Sequence, residues 1–296
     1  MPADGQLIDP KRSEIVPGVA VLRALPTRAR RLVGAWCFLD HFGPVAGAAM
    51  QAFAVGAHPH IGLQTATWLF DGALLHRDSL GSVQPVRAGE LNLMTAGHGI
   101  AHSEHLGAGA TRLHGLQFWI ALPESAREIA PRFEHHADLP RWHEGEASLR
   151  LFIGDYAGRH SPARVHTPLL GLEVHAPVAE SVTLALDPGF EYALYVASGH
   201  VRCDGIDVPA QRLCVFPDAA NAAQLELAAG SCAVLMGGAP FREAPLMWWN
   251  FVARSNDEIA TARADWASRS DRFGEVAEGG ARIDAPPFDL HLRAAR

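Results

Sequence analysis

The chain has 296 residues, enough for one large domain or two of ordinary size, and 48% of them are hydrophobic, so a sizeable core is available. Lys and Arg number 25 against 32 Asp and Glu, a formal charge of -7, which speaks against holding nucleic acid by bulk charge. The opening stretch MPADGQLIDPKRSEIVPG lacks the apolar segment of a signal peptide, and no uninterrupted apolar run approaches bilayer length, so no membrane segment is expected.

The four cysteines, Cys37, Cys203, Cys214 and Cys232, form no C-x-x-C pair. They read as reduced, buried thiols, which suits the cytoplasm. With 28 glycines and 20 prolines, turns are frequent, as in a β-rich protein. The basic cluster Arg23, Arg28, Arg30 and Arg31 reads as a solvated turn edge.

In chain order, the first chemistry-bearing segment is His58-Pro59-His60. Residues i and i+2 of a strand point to one side, so both imidazoles can face one point. Gln64–Phe70 is β-branched and aromatic, and Asp71-Gly72 then leads into ALLHRDSLG, which predicts a hairpin. A strand follows at Glu90–Met94. Then comes His102-Ser103-Glu104, a second pair that skips one residue. Glycines 56, 62, 97 and 99 beside the two pairs allow close backbone approach. If neighbouring strands carry the pairs, His58, His60, His102 and Glu104 converge as three imidazoles and one carboxylate. That set suits iron, manganese, nickel, copper or zinc and leaves coordination positions open for a ligand. In a chain with 16 histidines an isolated H-x-H leaves metal and packing evenly balanced; it is the second pair that favours a metal.

Other histidines read differently. His41 packs or bonds locally. His76, His98 and His105 lie near the motif but lack an i+2 partner that would bring them into the cluster. His135 and His136 are adjacent and point apart in a strand. Leu116–Leu122 reads as a buried strand. The polar stretch with Pro131, Pro140 and Pro162 reads as crossing structure between two domains.

Tyr192–Ala197, Ser198-Gly199, HVRCDG and a strand at Arg212–Phe216 repeat the earlier order of strand, x-Gly turn and strand. Two copies of one β-unit of jelly-roll type are therefore expected, over residues 1–130 and 131–296. Aligning the copies puts Ala185 and Asp187 against His58 and His60, and Gln224 and Glu226 against His102 and Glu104, so only the first copy keeps the ligands. Ser255-Asn256-Asp257-Glu258 is a capping box that predicts a helix from about 256 to 268. The tail RIDAPPFDLHLRAAR reads as an extended arm laid over a surface.

These residues resemble the pirin family of the cupin superfamily. The likeness runs through RALPTRARRLVGAWCFLDHFGP (23–44), HPHIGLQTATWLFDGALLHRDSLG (58–81) and MTAGHGIAHSE (94–104). It continues in FWIALP (118–123), GGAPFREAP and FVARSNDEI (237–259). The resemblance implies an all-β chain of two tandem cupin barrels with a short C-terminal helix and arm. It also implies a metal, usually iron, in the N-terminal barrel, held by His58, His60, His102 and Glu104. One departure stands out: the family usually carries a glutamate where this chain has Gln64.

Several pirin-like proteins are similar to quercetin 2,3-dioxygenases, which implies a planar flavonol and dioxygen as substrates. Glu104 is then the candidate base, and Phe53, Met94 and Trp68 are candidates for an apolar wall, although ordinary core packing is the better explanation of those three. The alternative from the same resemblance is a transcriptional co-regulator whose iron state changes its binding to a protein partner, without direct nucleic-acid contact. A weaker reading is a cupin that isomerises or sequesters a small metabolite. A monomer is expected, because two barrels in one chain can cover each other's apolar faces.

Overall fold

The computed structural model describes residues 5–47, 50, 53–289 and 291–293. The chain forms two compact units that exchange segments. The first comprises Ser13–Val21, Phe42–His135 and Arg242–Arg296; the second comprises the chain up to Arg12, Leu22–His41 and His136–Phe241.

In the first unit a four-stranded antiparallel sheet has the order Ala54–His60, Ile100–Leu106, Ala73–Asp78, Val83–Arg87. A second sheet places Arg132–His136, Leu91–Thr95, Leu63–Asp71, Arg112–Ala121 and Trp36–Ala46 side by side, the last strand belonging to this unit from Phe42 on. Val55, Leu74 and Val86 of the former meet Phe42, Leu69 and Leu113 of the latter in one apolar cluster. The second unit repeats the plan. Its four-stranded sheet runs Glu180–Ala185, Ala222–Leu227, His200–Cys203, Ile206–Pro209. Counted along the chain, both small sheets have the order first, fourth, second, third, so the internal repeat read from sequence is a repeat of topology.

The predicted hairpins at Asp71-Gly72 and Ser198-Gly199 are crossings instead. Leu63–Asp71 pairs with Leu91–Thr95 and Arg112–Ala121, whereas Ala73–Asp78 pairs with Ile100–Leu106 and Val83–Arg87. Gly72 (φ 87°) and Gly199 (φ 76°) carry the chain from one sheet to the other. A Cβ on Gly72 would lie 2.1 Å from the Arg112 carbonyl oxygen, so the local signal for a tight turn marks a corner where only glycine fits. The sheets also stay separate rather than closing into barrels. The exposed edge of Ala54–His60 is met by the tail, where Ile283 N–H donates to the Ala57 carbonyl at 2.8 Å.

The stretch between the copies does cross from one unit to the other, at His135–His136, and it is itself built of strands. It holds the strands Arg132–His136, Arg141–Glu144 and Ala147–Tyr156. Alternating apolar residues in ASLRLFIG bury Leu149, Leu151 and Ile153, and that pattern outweighs the prolines at its borders.

The one helix among the described residues, Asn256–Ser268, starts where the capping box predicts. Ser255 Oγ accepts from Glu258 N–H at 3.2 Å, and Glu258 reaches back to Arg254 N–H at 2.8 Å. Ile259, Ala262 and Trp266 face inward and pack on Ile61, Ala101, Phe251 and Phe273. These residues pack against the outer face of the two strands that carry the histidine pairs. All four cysteines are buried and free, as expected.

Gly62 (φ 67°) makes the corner between Ala54–His60 and Leu63–Asp71, and a Cβ there would sit 2.0 Å from the Val252 carbonyl oxygen. Gly81 (φ 87°) has nothing within 4 Å. Gly81→Ala should cost about 1 kcal/mol from backbone strain alone, and Gly62→Ala should cost at least ~2 kcal/mol more, read as thermal unfolding midpoints. Equal losses for the two variants would contradict this account of the corner.

Candidate metal centre

The inner face of the four-stranded sheet in the first unit gathers the ionisable side chains. Ala54–His60 contributes His58 and His60, Ile100–Leu106 contributes His102 and Glu104, and Ala73–Asp78 contributes His76 and Asp78. His102 lies opposite His58 on one neighbour and opposite Asp78 on the other. Between His102 and Glu104 the register against Ala54–His60 slips by one, because Glu104 lies opposite Val55. This bulge at Gly56-Ala57 leaves the Gly56 carbonyl to accept from its own strand.

His58, His60 and His102 are buried, and one ring nitrogen from each lies within 4.8 Å of the other two. Hydrogen bonds fix which nitrogen that is. His58 Nδ1 lies 2.8 Å from the Gly56 carbonyl oxygen, and His60 Nδ1 lies 3.0 Å from the Asn250 carbonyl oxygen. A carbonyl only accepts, so both Nδ1 atoms carry hydrogen and both Nε2 atoms carry lone pairs. His60 Nε2 is 3.0 Å from His102 Nε2, and His102 Nδ1 is 3.3 Å from His76 Nδ1. His76 Nε2 donates to Asp78 Oδ2 at 3.0 Å.

A count of protons tests whether these residues suit a cation. With neutral rings, His102 has one N–H to serve two N···N contacts, and one pair of lone pairs is left face to face. One positive charge among the Nε2 atoms removes that conflict. Burial also keeps the rings unprotonated. It pushes the His58 pKa down to about 4, despite the Gly56 bond, and puts His60 and His102 well below the ordinary imidazole range, with further lowering from neighbouring histidine charge. Neutral, converging imidazoles are what a divalent ion of the iron-to-zinc series takes.

Glu104 stands apart from this triad. It is not among the mutually close ligand atoms, and its Oε1 accepts from the Thr67 hydroxyl at 3.1 Å, across to the facing sheet. Burial raises its pKa, partly offset by His76 and by the Thr67 bond. Gln64 is buried, and its Nε2 donates to Thr95 Oγ1 at 2.9 Å, a donation no carboxylate could make. Phe53 and Met94 belong to two separate core clusters and do not form one apolar wall with the fully buried Trp68.

The sequence reading missed four neighbours. Trp119 stands edge-on to His60 with ring centres 5.3 Å apart, and Phe133 stacks on His76 at 4.3 Å. His76 reads from sequence as lacking an i+2 partner, yet Asp78 is one: His76-Arg77-Asp78 is a third pair that skips one residue. Strand alternation would have found it once a carboxylate was admitted as the partner. In the second unit the register corrects the alignment of the copies. Gln224 lies opposite Thr183, and Ala185 lies opposite Ala222. These residues point outward, while Val182, Leu184, Ala223 and Leu225 fill the interior. The interior of that small sheet is apolar, so the absence of an imidazole cluster there holds for a different set of positions.

Comparison with known proteins identifies the family of the fold. The family profile described as Pirin matches residues 18–120, and that of the Pirin C-terminal cupin domain matches 171–274. A Pseudomonas aeruginosa protein provisionally named a quercetin 2,3-dioxygenase is 47% identical over 290 residues, covering 98% of this chain and 92% of its own. A crystal structure of quercetin 2,3-dioxygenase from Acinetobacter baumannii superposes with TM-score 0.95 at 41% identity, covering 99% and 98% of the two chains. A bacterial pirin from Escherichia coli, solved in complex with nickel(II), shares the fold with TM-score 0.64 at 20% identity, covering 80% of this chain and all of its own.

The lowered imidazole pKa values set a pH dependence. In the unfolded chain these histidines titrate near 6.5, so below that pH the unfolded state binds protons that the folded state refuses. Stability of the metal-free protein should therefore fall as pH drops from about 6.5 towards 4, by on the order of a few kcal/mol. Glu104, with a raised pKa, acts in the opposite sense, but one carboxyl is set against three rings. Unfolding midpoints across this range should decline less steeply for His58→Ala, and parallel profiles would contradict the assignment.

Proposed function

The chain belongs to the pirin family, and from that premise we propose that it is a metal-dependent dioxygenase that cleaves flavonols of the quercetin type. In this reading His58, His60 and His102 hold a divalent ion, and Glu104 either completes the set or works beside it. The observation that carries it is the proton count: three buried imidazoles aim lone pairs at one another and lack one positive charge. Iron is the ion we favour. Manganese, nickel, copper and zinc suit the same ligands, and nickel occupies the Escherichia coli pirin named above.

When bound, the divalent ion would supply Lewis acidity that favours the flavonol 3-hydroxyl as its anion. The protein's own part is proton transfer and positioning. Glu104 takes the hydroxyl proton; burial makes it a stronger base than an exposed carboxylate, and Thr67 pins its Oε1, which leaves Oε2 for the proton. Trp119 and the carbonyls of Gly56 and Asn250 keep the imidazoles in one orientation. The electron-rich ring then combines with dioxygen and opens, both oxygen atoms stay with the products, and carbon monoxide leaves, so no outside reductant is needed. No helix among the described residues is long and apolar enough to cross a membrane. The free, buried cysteines fit a reducing compartment, and we place the protein in the cytoplasm.

Iron-loaded protein given quercetin in air should consume the flavonol absorbance and release carbon monoxide in equal amounts. His58→Ala with His60→Ala should abolish this, and Glu104→Gln, compared at equal metal content, should lower kcat by about 10²–10⁴. Absence of turnover with any of these metals would favour the co-regulator reading instead.

A further inference from the structure

Each of the other two imidazoles is oriented by a backbone carbonyl, but His102 Nδ1 faces no carbonyl. It faces a side chain, His76 Nδ1, at 3.3 Å. His76 is held from two sides. Its Nε2 donates to Asp78 Oδ2 at 3.0 Å, and its ring stacks on Phe133 with the planes 15° apart. Asp78 is anchored in turn, since its Oδ1 accepts from Leu80 N–H at 2.9 Å and Ser82 N–H at 3.0 Å. All three polar residues of this chain are buried.

The direction of each bond follows from its far end. The Asp78 carboxylate accepts, so His76 carries hydrogen on Nε2. A neutral His76 then presents a lone pair at Nδ1, and the matching donor is His102 Nδ1–H. That leaves the His102 lone pair on Nε2, turned to the same point as those of His58 and His60.

We propose that His76 and Asp78 are positioning residues of the metal centre, which fix His102 in the tautomer that offers Nε2 to the ion. The proposal rests on the metal reading given above. Asp78 and His76 do for His102 what the carbonyls of Gly56 and Asn250 do for His58 and His60. They differ in being side chains, and so open to substitution. Without the Asp78 acceptor the His76 ring can carry its hydrogen on Nδ1, which turns it into a donor towards His102 and drives the His102 hydrogen onto Nε2, where it blocks the ion.

Zinc(II) serves as the probe, because it is diamagnetic and suits imidazole ligands. Its affinity is measured on the full chain by competition with a chromophoric chelator, and the His102 tautomer is read from side-chain ¹⁵N spectra of the zinc-loaded protein. His76→Leu should weaken zinc binding about 10–100-fold, the usual effect of losing such a partner. His76→Asn, whose Oδ1 can accept from His102 Nδ1–H without help, should keep the affinity within about threefold of the unsubstituted protein by the same reasoning.

Asp78→Asn, which retains the Oδ1 acceptor for Leu80 and Ser82, should weaken binding in the natural background and change nothing further when combined with His76→Asn. In the spectra, His102 should show hydrogen on Nδ1 in the zinc-loaded protein. Unfolding midpoints of the metal-free variants separate loss of binding from loss of fold. Should the unsubstituted chain bind no zinc, the metal reading itself fails. Tight zinc binding left unchanged by both His76→Leu and Asp78→Asn, or a His102 hydrogen on Nε2 in the zinc-loaded protein, overturns the positioning proposal and leaves the metal reading standing.

Discussion

Three imidazoles packed with their lone pairs converging are the constraint around which the first unit is organised. Unpaired polar atoms in a dry interior cost several kcal/mol, and like-facing lone pairs add to that cost. The fold sustains the arrangement by satisfying each ring at its far nitrogen, through Gly56, Asn250 and His76, so that the near nitrogens have no alternative inside the protein. The C-terminal hairpin, helix and tail pack against the outer face of the same strands.

Two backbone devices make this possible. The bulge opposite Ser103 shifts Glu104 out of step with the histidines and hands the Gly56 carbonyl to His58. In that place one oxygen of Glu104 accepts from the Thr67 hydroxyl of the facing sheet, and the other is left for the centre. The glycine corners at Gly62 and Gly72 allow strands to turn against backbone carbonyls that would collide with any side chain. The second unit uses the same strand order with Val182, Leu184 and Leu225 inward, and so spends its interior on packing.

The family-level reading and the physical reading meet at Gln64. The pirin resemblance leads to the expectation of a glutamate there, and Gln64 leaves the interior one carboxylate fewer. The amide donates to Thr95 and is thereby committed to the sheet. Negative charge near the triad is left to Glu104, whose pKa burial raises, and to Asp78, which the bonds from His76 and Ser82 hold below the usual carboxylate range against the opposing effect of burial.

Much of this was legible in the chain itself. The i, i+2 spacing of His58 and His60 places them on one face because strand alternation is geometric, and Ser255 with Glu258 starts the helix because capping is local. The repeat of strand and glycine corner along the chain reveals two copies of one unit. What the sequence does not contain is which strand pairs with which. Asp71-Gly72 looks like a hairpin locally, and only the pairing of Leu63–Asp71 with Arg112–Ala121 makes it a crossing between sheets. Likewise the place of Glu104, the recruitment of His76 and Asp78, and the role of the Asn250 carbonyl, 190 residues from His60, depend on register and long-range closure, which no local pattern encodes.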